Sequence, residues 1–203
     1  MNLNIVSYNC RGMNVCSGSS DPRNLALKEV LIECDILVLQ ETWFYKQDLA
    51  YINTFDGEFH GIGEATRDAS TQIFSGRPPG GVAILWRRSL GKNVTELRFD
   101  ADWLIGIQIK LSEGSELVII CIYMPYQASH NEDEFHSKLG FLSHIVNETD
   151  CPNIVIAGDF NADTSRESLF GPHLRLFCEE NDLVFSSSIN LPPDSHTFVS
   201  DME

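Results

Sequence analysis

Residues 154–163 read IVIAGDFNAD. An apolar run rich in β-branched side chains breaks off at Gly158 into two aspartates and an asparagine around one phenylalanine. β-Branched residues suit a pleated, packed surface, so residues 153–157 read as a buried strand. If the chain stays extended beyond the glycine, Asp159 and Asn161 face one side and Phe160 the other. Polar groups at the end of a rigid strand are well mounted for chemistry, because packing holds the backbone while the side chains reach solvent. The same residues would also suit an Asx-turn, with their side chains bonded to nearby backbone. Asp163 reads as a cap for the segment that follows.

Other strands end in the same way. Residues 3–8 read as a strand leading to Asn9, and residues 35–39 (DILVL) as a fully apolar strand leading to Gln40 and Glu41. Residues 82–86, 94–99, 104–110 and 117–123 read as successive strands separated by turn residues, the last ending on Tyr123. Asp21 followed by Pro22 marks a helix start, Asp as N-cap and Pro as first helical residue. The pairs Ala26/Val30 and Leu27/Leu31 give that helix an apolar side. Residues 131–146 form the clearest helix, with Phe135, Leu139, Leu142, Ile145 and Val146 on one face. Glu132, Asp133 and Glu134 occupy its first turn, where the helix dipole favours acids. Residues 172–181 read as a further helix, and residues 57–81, rich in Gly, Pro, Ser and Thr, as a long irregular loop. Strand runs with interspersed helices predict an α/β domain, two mixed β-sheets packed together under outer helices.

The chain has 203 residues, 43% of them apolar, enough for one domain with a substantial core, and we read residues 1–203 as a single domain. No apolar run approaches the roughly 20 residues that span a bilayer. The opening MNLNIVSYNC has no basic stretch leading into an apolar one, so no secretory leader is expected. The expected location is intracellular, in nucleus or cytoplasm, with no membrane partner. Six cysteines, at 10, 16, 34, 121, 151 and 178, are scattered without the spacing of a zinc site or disulfide framework. Cys34, Cys121 and Cys151 lie in or beside apolar segments and read as small buried hydrophobes. The formal charge is −15, from 29 acidic and 14 basic residues. Phosphate contacts dominate nucleic-acid affinity, so this balance argues against tight, sequence-independent duplex binding by this domain alone, while leaving room for a local basic strip. An enzyme that touches a phosphate briefly remains compatible with it.

Glu41 is a candidate ligand for a hard cation, since magnesium takes oxygen donors and is often held by one or two carboxylates. The same Glu could instead sit at a helix N-terminus. Asp159 can orient or deprotonate a water, and the Asn161 amide can donate to a phosphoryl oxygen as charge develops. Tyr123, in CIYMPY, could donate a phenolic hydrogen bond or simply line the sheet edge. His136 and His144, eight apart on the long helix, read as surface residues.

Taken in order, SYNCRG (7–12), LQETW (39–43), GGVAILW (80–86), IYMPY (122–126), GDFNAD (158–163) and SHTF (195–198) resemble the endonuclease/exonuclease/phosphatase superfamily. The flavour is that of the abasic-endonuclease-like domain of non-LTR retrotransposons. The resemblance implies a four-layer sandwich, with two mixed sheets face to face between helices. It implies Mg2+, or Mn2+ in its place, held by Glu41 with Asn9 beside it. Tyr123 would contact the scissile phosphate, Asp159 would activate the attacking water, and Asn161 would support it. Arg11 and Tyr126 would stand on the substrate side. The implied reaction is phosphodiester hydrolysis, in-line at phosphorus, with DNA as a transient, phosphate-directed partner.

Three departures refine this. Arg11 stands where abasic endonucleases often carry an acidic residue and retrotransposon members commonly carry Arg. Tyr126 stands where many relatives have Asn. The family's terminal Asp–His pair is absent, since no Asp–His dipeptide occurs and His196 lies in the earlier SHTF context. The expectation is a domain truncated at its C-terminal end, its last strands missing, weakly active or inactive by itself. Its longer parent would carry a C-terminal reverse transcriptase. Two alternatives remain open: a phosphatase or lipid phosphodiesterase of the same fold, and a degenerate relic without catalysis.

Overall fold

Side chains alternate across a strand, so a strand apolar at every position has two faces to bury. The computed structural model, which describes residues 2–13, 21–68, 80–111, 114–164 and 168–186, shows how this is met. The strands are β1 (Ile5–Asn9), β2 (Ile36–Gln40), β3 (Phe59–Glu64), β4 (Val82–Arg87), β5 (Val94–Leu97), β6 (Leu104–Lys110), β7 (Glu116–Tyr123) and β8 (Ile154–Asp159). The α-helices among the described residues are α1 (Pro22–Glu33), α2 (Glu132–Glu148) and α3 (Gly171–Glu180), with short 3-10 helices at Lys46–Thr54, Arg88–Asn93 and Ser129–Asn131. One sheet has the order β1-β2-β4-β3 and the other β5-β6-β7-β8. Each is mixed: β1 runs parallel to β2 and β7 parallel to β8, and the remaining neighbours are antiparallel.

Chain contacts divide the molecule into two compact units. The first, residues 1–124 and 150–160, holds both sheets and α1. Ile36, Val38, Val82, Ile84 and Trp86 of the first sheet pack in one buried cluster with Ile105, Ile107, Ile109, Ile119 and Cys121 of the second. The intervening residues of β2 and β4 (Leu37, Leu39, Ala83 and Leu85) turn the other way and meet Leu27 and Leu31 of α1. Asp21 caps α1 by accepting from the Arg23 backbone N–H at 2.9 Å, with Pro22 in the first turn, as its sequence predicts. Two mixed sheets packed face to face with helical cover is the expected architecture.

The second unit, residues 125–149 and 161–203, contains α2 and α3. Phe135, Leu139, Leu142 and Ile145 are the buried face of α2. The Phe135 ring stacks on Phe170 with centroids 4.1 Å apart, and both side chains are fully buried. Asn181 at the end of α3 donates from Nδ2 to Ser143 Oγ at 3.0 Å. Among the described residues no helix is long and apolar enough to cross a membrane.

Three local expectations change. Residues 59–64, expected within the irregular loop, form β3 (FHGIGE), its glycines lying close to Ile52 and the β4 backbone, where a larger residue would not fit. Strand β8 is half-buried along its whole length, because among the described strands it is an edge. The extended alternation of Asp159 and Asn161 also fails, since β8 ends at Asp159 and Asn161 takes a left-handed φ of 48°. Asn tolerates that conformation better than most residues. The SHTF segment lies outside the described residues.

Gly158 takes φ 149°, and a Cβ there would overlap the Ile122 carbonyl of β7. Only glycine lets the two parallel backbones pair this closely. Gly158→Ala should therefore lower stability by more than about 2 kcal/mol in urea unfolding, with an unchanged m-value. A loss under about 0.5 kcal/mol would mean the close approach relaxes freely.

Candidate active site

Parallel neighbours finish at the same edge of a sheet. Asn9 is registered with Gln40 at the ends of β1 and β2, and Tyr123 with Asp159 at the ends of β7 and β8. Face-to-face packing of the two sheets brings both ends together in the first unit. Asn9 Nδ2 donates to Glu41 Oε1 at 2.8 Å and to Asp159 Oδ2 at 3.1 Å. The Tyr123 hydroxyl donates to the same Glu41 Oε1 at 3.4 Å. Four residues from four strand ends, 150 positions apart at the extremes, thus share one hydrogen-bonded cluster.

The backbone around the cluster is fixed and partly strained. Glu41 has φ 54°, Trp43 56° and Arg11 45°, left-handed values uncommon for non-glycine residues. They persist because neighbours hold them: Gly12 N–H donates to Glu41 O at 2.7 Å, Met13 N–H to Thr42 O at 3.0 Å, and Trp43 N–H to Gly80 O at 3.0 Å. Glu41 is therefore not a helix-start residue, because no helix begins there. Asp159 does not serve only an Asx-turn, since its carboxylate accepts from Asn9 on another sheet. Tyr123 is more than an edge aromatic, with its hydroxyl on the Glu41 carboxylate.

The other candidates are placed as follows. The backbone N–H of Arg11 donates to Asn9 Oδ1 at 3.2 Å, which orients the amide toward the carboxylates. Asn161 and Tyr126 belong to the second unit. There Tyr126, 60% exposed, hydrogen-bonds through its hydroxyl to His130 Nε2 at 3.1 Å.

Sequence reasoning missed Gln40. It is 2% exposed and donates from Nε2 to Ser7 Oγ at 3.2 Å and to Cys121 Sγ at 3.8 Å. The Cys121 thiol in turn donates to Leu39 O at 3.3 Å. These bonds tie β2 to β1 and to the opposite sheet directly behind Glu41. The available signal was a polar amide ending a wholly apolar strand, which needs a buried partner.

The donor set is two carboxylates, an amide and a phenol, with neither thiol nor imidazole among them. One amide holds both carboxylates to a common point. This hard oxygen set fits magnesium or manganese. Burial pushes the nearby Cys10 and Cys121 thiols up to about 12. All five cysteines among the described residues are free and buried, as the apolar settings of Cys34, Cys121 and Cys151 predict.

A family model described as Endonuclease/Exonuclease/phosphatase family matches residues 6–197. No curated protein matches the chain by sequence. Among solved structures, the chain is similar to the human Nocturnin catalytic domain, at 16% identity and TM-score 0.58, covering 94% of this chain and 77% of that one. It is also similar to D. rerio TDP2 complexed with single strand DNA product, at 17% identity and TM-score 0.55, covering 91% of this chain and 66% of that one. The endonuclease domain of TRAS1, a telomere-specific non-LTR retrotransposon, matches at 12% identity and TM-score 0.58, covering 88% of this chain and 72% of that one. These likenesses establish a common fold.

A thiol whose pKa is near 12 is about one part in 10⁴ thiolate at pH 8, and only the thiolate attacks alkylating reagents. Cys10 and Cys121 should stay unmodified by iodoacetamide at pH 8 in the folded protein and become alkylated in guanidinium. Peptide mass spectrometry reads the result, and fast native labelling of Cys10 would contradict its burial.

Proposed function

Because this chain belongs to the endonuclease/exonuclease/phosphatase family, we propose that its site hydrolyses phosphodiesters with a divalent metal and nicks DNA as a retrotransposon-type endonuclease domain. What supports this above all is the single amide of Asn9 joining carboxylates from two sheets, with a tyrosine hydroxyl on one of them. Glu41, with Asn9 beside it, would hold magnesium, or manganese in its place. Bound there, the ion supplies Lewis-acid polarisation of a phosphoryl oxygen.

The chain's own groups do the rest. Asp159 orients the attacking water and takes its proton as the new O–P bond forms. The Tyr123 hydroxyl donates to a phosphoryl oxygen as charge develops on it. Asn161, two residues beyond Asp159, is assigned the support of that water. The Arg11 guanidinium pairs with a flanking phosphate, and Tyr126 serves the substrate side. The P–O bond to the leaving oxygen breaks in line. No Asp–His dipeptide occurs in the 203 residues, so turnover by this chain alone is proposed to be slow. With a charge of −15, DNA contact is brief and phosphate-directed rather than a tight grip. In this reading the 203 residues form one catalytic domain of a longer, intracellular protein that also carries a reverse transcriptase.

That same charge favours a second reading, a phosphatase or lipid phosphodiesterase on the same scaffold, because fold does not set substrate. Relaxation of supercoiled plasmid separates the two. With MgCl2 the chain should nick slowly, EDTA should stop it, and Glu41→Ala should lower the rate at least ~10²-fold. Nicking that survives both EDTA and Glu41→Ala would rule out the metal role. Hydrolysis of an inositol phosphate or phospholipid without nicking would establish the second reading, and inactivity on every substrate a relic.

A further inference from the structure

We propose that the second unit holds a separate transition-metal site, of the zinc class, made by Glu132 and His136 of α2 and His173 of α3. Glu132 and His136 are four residues apart, which puts them on one face of the helix one turn from each other. His173 lies in the first turn of α3. One ligand atom from each of the three residues lies within 4.8 Å of the others. His173 Nε2 stands 3.5 Å from Glu132 Oε1. Two ligands of a tetrahedral zinc, bonded at about 2.0–2.1 Å, are about 3.3 Å apart, so this pair is nearly at ligating distance. The His136 and His173 rings lie 4.0 Å apart at 66°, close enough for both to turn a nitrogen to one ion.

The frame is already built without the ion. The stacked Phe135 and Phe170 and the Asn181–Ser143 hydrogen bond hold α2 against α3. The groove between the helices is lined by His136, Leu139, Gly140, His173, Phe177 and Glu180. Gly140 leaves it open, with nothing within 4 Å of where its Cβ would be. His136 is exposed, which supplies an entry path and leaves the fourth position to water. A surface His–Glu ion pair would account for His173 and Glu132 alone and gives the neighbouring imidazole no part.

The ligand chemistry differs from that at Glu41 and Asp159. Imidazole suits zinc and its neighbours in the first transition row, whereas all-oxygen sites suit magnesium. Bound zinc would clamp α2 to α3 and stabilise the unit by its affinity for the folded state.

The test is equilibrium dialysis of the whole chain against Zn2+ in excess Mg2+, with cobalt absorption reporting the coordination. One Zn2+ per chain should bind and raise Tm. His136→Gln and His173→Gln should each weaken it at least ~10–100-fold, the range seen even for losing a ligand's supporting partner. Glu41→Ala should bind zinc as the parent does, which separates this site from the proposed catalytic one. Circular dichroism confirms folding, and if His173→Gln does not fold, His136→Gln, at an exposed position, carries the test. Absence of zinc binding at micromolar concentration, or unchanged binding by folded His136→Gln, would overturn the proposal.

Discussion

The structure depends on one apolar layer, the isoleucine-rich seam between the two sheets. Ile36, Val38 and Ile84 meet Ile105, Ile107 and Ile119 there, all fully buried. Burying such side chains contributes roughly 1.5–3 kcal/mol each before entropy is set against it. The seam also sets position. Each sheet contains one parallel pair, β1 with β2 and β7 with β8, and a parallel pair delivers both C-terminal ends to one edge. Locking the sheets face to face puts the two sets of ends side by side.

The polar cluster follows from that placement. Asn9 can reach both Glu41 and Asp159 only because its strand and theirs end at one level. Behind it, Gln40 and Cys121 carry hydrogen bonds across the seam, whereas the indole Nε1 of Trp86, buried in the same layer, has no hydrogen-bond partner. Gly158 permits the close pairing of β7 and β8 that brings Asp159 beside Tyr123, and Met124 N–H then donates to Asp159 O at 2.9 Å. Left-handed backbone at Arg11, Glu41 and Trp43 gathers in the loops that leave β1 and β2. Strain of this kind is held by surrounding hydrogen bonds and concentrates where side chains must be aimed.

Much of this was legible in the residues. The Asp21–Pro22 start of α1, the buried face of α2 and the strands at residues 104–110 and 117–123 follow local rules of capping and periodicity, and the structure keeps them within a residue or two. Strand β3 was not legible, because Gly61 and Gly63 look like loop residues until Ile52 is seen filling the space beside them. The extended reading of Asp159 and Asn161 failed because a period-two pattern does not say where the strand stops. His136 looked like a lone surface residue because its partner His173 lies 37 positions away on another helix.

By itself, then, the sequence determined which residues could do chemistry: polar groups placed at the ends of apolar strands, in an order that a family shares. It determined the element types as well, since caps and hydrophobic periods act over a few residues. Tertiary structure alone decided that Asn9, Glu41, Tyr123 and Asp159 form one cluster. Their meeting needs two parallel registers and a packed seam between sheets, and those contacts join residues up to 150 positions apart. Local propensity has no reach over that distance; only the buried seam does.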